Sequence, residues 1–250
     1  MAKRQLEAMA SSCFSRTDRP NPGMEYFSQS NRSKFPSCPA VARAVLFCLL
    51  LSACASPPPE KDPFPEPLPP GVAQARDVVL RVQKEVREVA QQGSALGYEE
   101  RRARLTEIGL KNFDLPRMAE LSYGPKFLEL TPDQKRLWVD TFIVFRSSAS
   151  AKVNSRDRGQ VSRLTGYDQV SKGAVLIRTA VSYPRHVLEI SVDYRLVKVG
   201  GEWKIVDRYS PSTVSEIAMR RSEYRTILEK EGFDGLIEDM DRRIEGYMAR

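Results

Sequence analysis

Histidine and cysteine, the side chains best suited to nucleophilic and zinc chemistry, are few in this 250-residue chain. The single histidine, His186, sits in "SYPRH", which reads as a hairpin loop. One imidazole cannot build a His-rich metal site, and it leaves a Ser-His-Asp arrangement with a single candidate base. The cysteines are Cys13, Cys38, Cys48 and Cys54, and none follows. The rest of the chain therefore holds no disulfide, no Cys-based zinc site and no cysteine nucleophile. Neither G-x-G-x-x-G, a Walker A sequence, H-E-x-x-H nor G-x-S-x-G occurs. One carboxylate, Asp207, invites a proton-transfer reading. Its surroundings depend on the elements that carry it.

Those elements begin near Gly71. "VAQARDVVLRVQKEVREVAQQ" places Val72, Ala75, Val79, Val82, Val86 and Val89 on one helical stripe. A second helix is expected over about Tyr98 to Leu110. Asp114 then offers an N-cap with Pro116 in the first turn, and Gly124 a stop. "LTPDQKRLWVDTFIVFRSSASAKV" is the clearest helix: Thr131 and Gln134 form a capping box and Pro132 sits at the first position. Its broad apolar face, with Leu137, Trp138, Phe142 and Phe145, calls for burial. Two further helices are expected over about Thr213 to Lys230 and Phe233 to Met248, separated by Gly232.

Between these helical stretches the apolar period changes from 3.6 to 2. "AVLIRTAVS", "HVLEISVDYRLVKV" and "EWKIVDRYS" read as strands, with another near Ser162 to Val170. Gly200-Gly201 predicts a two-residue hairpin turn pairing Lys198 with Trp203, Leu196 with Ile205, Tyr194 with Asp207 and Val192 with Tyr209. A short "YPRH" loop would pair Val181 with Leu188, Thr179 with Ile190, Ile177 with Val192 and Val175 with Tyr194. Both hairpins put Val175, Ile177, Leu188, Ile190, Val192, Tyr194, Leu196 and Ile205 on one face. Arg178, Glu189, Ser191, Asp193, Arg195, Lys204 and Arg208 fall on the wetter one. In this register Asp207 lies on the apolar face opposite Tyr194. It would then be either a desolvated proton-transfer group or the partner in a structural Tyr194–Asp207 hydrogen bond. The second fits better, because no other catalytic group is at hand. The order of elements predicts an α+β domain, with helices packed on one face of an antiparallel sheet.

Its apolar surface can be used in two ways. The sheet face, the Trp138/Phe142/Phe145 helix and the Met118/Leu121 helix can close into a plain core. They can also stand apart and leave a hydrophobic cavity for a ligand. Pattern alone leaves both open.

The N-terminal part reads differently. Residues 1–43 are polar, Ser-rich and aperiodic, and residues 44–51 are an apolar run. Eight residues are too few to span a membrane, which takes about 20, but they suit a signal-peptide core preceded by Arg32, Lys34 and Arg43. Leu51-Ser52-Ala53-Cys54 resembles the lipobox of bacterial lipoproteins, with Cys54 as the lipidated residue. A chance cysteine after an ordinary signal peptide is the alternative. Met24 would give a signal of more usual length. The expected organisation is therefore a signal region over 1–53, a lipidated Cys54 with a Pro-rich linker over 54–71, and a domain over 72–250. Eight prolines among residues 57–70 favour extended polyproline II, a stalk reaching about 40–50 Å. Residues 1–53 carry seven Lys/Arg and three Asp/Glu, so over half of the formal charge of +7 leaves with them. What remains is mixed along helix faces, and no basic stripe interleaved with aromatics points to nucleic acid.

"NFDLPRMAELSYG", "LTPDQKRLWVDTFIVFR", "VDYRLVKVGGEWKIVD" and "RRSEYRTILEKEGFDGLIEDM" together resemble the MlaC family of periplasmic phospholipid-binding, toluene-tolerance proteins. The likeness runs from about residue 72 to 247. It implies an NTF2-like fold, helices on one face of a curved antiparallel sheet with a hydrophobic cavity between. It also implies a bound phospholipid rather than a cofactor, and no catalysis. The expected partners are an MCE-domain/ABC transporter complex and an outer-membrane component. The expected cavity residues are Met118, Leu121, Trp138, Phe142 and Phe145 on helices. Val175, Ile177, Ile190, Val192, Tyr194, Leu196 and Ile205 line it from the sheet, and Ile217 and Tyr224 from the segment after it. Two departures stand out. Glu216 in "SPSTVSEIAM" occupies a position that is apolar in the family. The lipobox suggests a tethered protein, and Ala55 after it resembles outer-membrane sorting, whereas the best-known relatives are soluble shuttles. The ligand could also be another lipid such as a hopanoid, or the fold could serve as a non-carrier envelope module.

Overall fold

The computed structural model describes Phe64 and residues 67–171, 173–184 and 189–248. All of them lie in the compact unit Pro59–Arg250. Cys54, Met24, most of the proline stalk and His186 lie outside the described residues.

Helix α1, Pro70–Gln92, starts on a proline, whose missing N–H is unused in a first turn. Its stripe of Val72, Ala75, Val79 and Val82 is 0–5% exposed. Each valine contributes about 1.5–3 kcal/mol by leaving water. Helix α2, Tyr98–Asn112, is held to the chain around it by Arg101, a buried guanidinium that bonds to backbone carbonyls. Its Nε donates to the Ala151 carbonyl at 2.7 Å and its Nη1 to the Leu96 carbonyl at 2.8 Å. Helix α3, Leu115–Tyr123, is capped by Asp114, which accepts from the Arg117 N–H at 3.2 Å. Helix α4, Pro132–Val153, opens on the expected capping box. The Gln134 N–H donates to Thr131 Oγ1 at 3.2 Å, and the Thr131 N–H to Gln134 Oε1 at 3.0 Å.

Strands β1 (Val161–Ser171), β2 (Ala174–Ser182), β3 (Ile190–Val199) and β4 (Glu202–Tyr209) form one antiparallel sheet in that order. Gly200 and Gly201 have φ of 58° and 93°, the pair of positive values that a two-residue hairpin turn requires. Lys198 pairs with Trp203 and Leu196 with Ile205, as the turn dictates.

Two pairings differ from expectation. The β2–β3 connection runs from 183 to 189, longer than four residues, so the register shifts by two. Val181 faces Ile190, Thr179 faces Val192, Ile177 faces Tyr194 and Val175 faces Leu196. A slip of two leaves every side chain on its expected face, because the strand period is two. The second difference has larger consequences. A bulge between Arg195 and Leu196 sets two β4 residues, Val206 and Asp207, against Arg195. Beyond it Tyr194 faces Arg208, not Asp207, and Asp193 faces Tyr209. One extra residue exchanges the faces of a strand.

Helix α5, Glu216–Met248, begins three residues later than expected and breaks at Gly232, whose φ of 71° and ψ of −165° are not helical. Asp207 closes its N-terminus. Its carboxylate accepts from Ser215 Oγ at 2.6 Å and from the Ile217 N–H at 3.2 Å, and the Ala218 N–H donates to Ser215 Oγ at 3.0 Å.

The five helices pack against the curved sheet as an α+β domain. Helix α1 lies on the sheet, with Val72, Val79 and Val82 against Val175, Ile177, Leu196 and Ile205. Phe64 and Leu68 join this cluster. A second cluster is formed by α3, α4 and α5. Phe113 touches both, from an extended residue just after α2. It bridges to Ile205, and the Asp114 N–H donates to the Ile205 carbonyl at 3.0 Å. A strand-like step thus joins the helical layer to β4.

Candidate functional site

The sheet-side residues singled out by sequence share one face, but that face is not covered evenly. Along β3 exposure rises from Leu196 at 0% through Tyr194 at 9% and the half-buried Val192 to Ile190 at 44%. Along β2, Val175, Ile177 and Thr179 are buried and Val181 is half-buried. Helix α1 and Trp203 seal the first end, where Trp203 Nε1 donates to Gln74 Oε1 at 3.1 Å. The second end, at Val181, Ile190 and Val192, is open. Thr179, the polar residue of this face, is satisfied there, since its Oγ1 donates to the Val192 carbonyl at 2.5 Å.

The helix-side residues meet in the second cluster. Trp138 is central: its Nε1 donates to the Ala119 carbonyl at 2.9 Å. Its ring lies edge-on to Tyr224 at 5.2 Å and to Tyr123 at 5.3 Å. Met118, Phe142, Phe145 and Ile217 are buried beside it, and Leu121 is partly exposed. The Tyr224 hydroxyl is buried with no hydrogen-bond partner, and burial pushes its pKa up. Of the fourteen sequence-selected residues all but Ile190 therefore fall into two packed groups rather than one surface. All except Leu121, Val192 and Ile190 are at most 9% exposed.

A polar seam lies by Phe113, which belongs to both clusters. Glu216, at the start of α5, is gripped from two elements. Arg146 Nη1 of α4 stands 2.8 Å from its Oε1, and Arg208 Nε of β4 3.3 Å from its Oε2. The Arg146 guanidinium also covers the Phe113 ring at 4.6 Å, a favourable cation–π geometry. Burial alone would raise the Glu216 pKa, but Arg146, Arg208 and Arg220 outweigh it and hold the carboxyl below its ordinary value. Tyr194, beside the same charges, is pushed up by burial. Gln83 of α1 stands next to it.

Sequence reasoning missed both arginines. Glu216 at an apolar position was the available signal, since a buried carboxylate demands cationic partners. Arg208 could not be placed, because the bulge that sets it opposite Tyr194 leaves no local mark. Asp207 is corrected by the same feature: its oxygens are taken by Ser215, Ile217 and the Arg208 N–H at 2.8 Å. It is structural, as favoured, but through the cap of α5 and not through Tyr194.

Among the described residues no group of three or more His, Cys, Asp or Glu could hold a metal ion. No described helix is long and apolar enough to cross a membrane. The geometry offers an apolar sheet face, open at one end, with Arg146 and Arg208 near its polar seam. Such a surface suits binding of an amphipathic molecule.

The family model described as MlaC protein matches residues 80–242. No curated protein matches the chain significantly. A solved structure with the same fold is that of the phospholipid-binding protein from Ralstonia solanacearum, in complex with a phospholipid. It is 17% identical, has a TM-score of 0.61, and the match covers 71% of this chain and 99% of that one.

Proposed function

This chain belongs to the MlaC family, and from that premise we propose that it is a phospholipid-binding carrier of the bacterial envelope, not an enzyme. The observation that carries the reading is the graded burial of the inner sheet face, from sealed at Leu196 to open at Ile190, in a fold shared with a protein solved with phospholipid bound. Acyl chains entering at the Val181/Ile190/Val192 end would be held by transfer from water, at about 0.8 kcal/mol per CH₂. The lipid is the ligand and no cofactor is needed.

The finer parts of the proposal rest on sequence. The carrier acts in the periplasm with an MCE-domain/ABC transporter complex and an outer-membrane partner. Translation starts at Met24, Cys54 is lipidated, and Ala55 directs the anchor to the outer membrane. The proline stalk over 57–70 lets the domain swing within a fixed radius, handing lipid over rather than diffusing across the periplasm.

A second reading is favoured by the tight packing of the other sequence-selected residues. Met118, Trp138, Ile177, Leu196 and Ile205 are fully buried, as expected of a filled core in a non-carrier envelope module. The carrier reading places the lipid at the open end instead, with those residues as its rigid support. Mass spectrometry of lipids co-purifying with residues 59–250 separates the two; this span keeps Phe64 and Leu68 in the core. Stoichiometric phospholipid supports the carrier, a hopanoid or other lipid identifies the variant, and a lipid-free domain leaves the module.

A further inference from the structure

Arg146 and Arg208 share Glu216 unequally. The Arg146 contact at 2.8 Å is a hydrogen bond, and its guanidinium is fixed over Phe113. The Arg208 contact at 3.3 Å is an ion pair only, for Glu216 Oε2 makes no hydrogen bond. Side-chain exposure follows the same order: 18% for Arg146, 15% for Glu216 and 46% for Arg208. Of the three arginines acting on this carboxylate, Arg146, Arg208 and Arg220, Arg208 is the most exposed to solvent. The bulge sets Arg208 opposite Tyr194 in the β3–β4 register, one step on the inner face from the half-buried Val192 and two from the exposed Ile190. Gln83 of α1 stands beside Tyr194 and adds a polar side chain to this seam.

We propose that Arg208 binds the phosphate of a lipid whose acyl chains lie against Val192 and Ile190, with Glu216 holding this guanidinium until the lipid arrives. The proposal rests on the carrier reading above and names the headgroup chemistry that the site prefers. A phosphate accepts two parallel bonds from a guanidinium, a better match than the single unaligned contact with Glu216. Glu216 stays ionised throughout, because Arg146 remains bonded to it. The lipid is therefore selected for a negative charge at the rim, and a neutral diacylglycerol has no group to offer there.

The test uses the full-length chain incubated with vesicles of phosphatidylglycerol containing an equal amount of diacylglycerol, followed by re-isolation and mass spectrometry of bound lipid. Wild type is expected to prefer phosphatidylglycerol by about tenfold, the scale of one charge-assisted pair. R208Q is expected to lose most of that preference, and R208K, which keeps the charge without the fork, to fall between. Millimolar inorganic phosphate should leave the loading unchanged; if it abolishes the preference, the site is one for free phosphate and the lipid assignment is wrong. Equal uptake of both lipids by wild type overturns the Arg208 assignment alone, whether or not the variants fold. A preference retained in R208Q does the same. Wild type that takes up neither lipid overturns the carrier reading and this proposal together.

Discussion

Arg146 Nη1 meets Glu216 Oε1 at 2.8 Å across seventy residues of sequence, joining the middle of α4 to the first turn of α5 beside the Phe113 ring. The pair is partly buried, at 18% and 15% side-chain exposure. It also sits where the two apolar clusters meet, so it both fixes the start of α5 and supplies the charge that orders Arg208.

Removing the Arg146 guanidinium leaves Glu216 with only the looser partners. R146A is expected to cost about 3 kcal/mol, the scale for breaking a buried ion pair by deleting one member. Urea unfolding with an unchanged m-value checks it; a loss under about 1 kcal/mol would mean the pair behaves like an exposed one.

Glu216 also predicts a pH dependence. Its folded-state pKa lies below the ordinary value of 4.5, so the unfolded chain binds its proton first as pH falls. The stability it supplies is complete above 4.5 and is lost as pH drops through the lower folded value. E216Q should be less stable than wild type at neutral pH and show a flatter decline below that point. Parallel acid limbs in thermal melts would contradict the assignment.

Two glycines of α5 should respond with opposite sign. A Cβ at Gly232 would touch nothing within 4 Å, yet φ of 71° with ψ of −165° is a conformation reserved for glycine. G232A is expected to lose about 1–3 kcal/mol from backbone strain alone. Gly246 is likewise free of neighbours but ordinary in its helix. G246A is expected to gain about 0.5–1 kcal/mol. Calorimetric melting of both variants reads the difference directly.

Trp138 anchors the helical cluster with one hydrogen bond and two edge-on aromatic contacts. W138A should cost about 3–5 kcal/mol. V192W acts differently, because Val192 is half-buried at the open end of the sheet. The carrier reading expects retained far-UV circular dichroism with lost lipid uptake. Unfolding of V192W would instead indicate a filled core at that point.

Much of this architecture is legible locally. The Thr131–Gln134 capping box, the Gly200-Gly201 turn, the break at Gly232 and the stripe on α1 each rest on residues a few positions apart, whose conformational preferences act before any tertiary contact forms. The faces of β2 and β3 were legible too, since alternation survives a register slip of two. The sequence of this protein by itself therefore determined the elements, their apolar faces and the lack of cysteine beyond residue 54. Tertiary structure decided the rest. Only packing shows that the selected apolar residues divide into two clusters meeting at Phe113. Only the paired sheet shows the bulge that turns Asp207 to the cap of α5 and sets Arg208 beside Glu216. A bulge is defined by the pairing of two strands, and here Asp207 is held by Ser215 and Ile217 beyond the sheet, so no short run of β4 marks it.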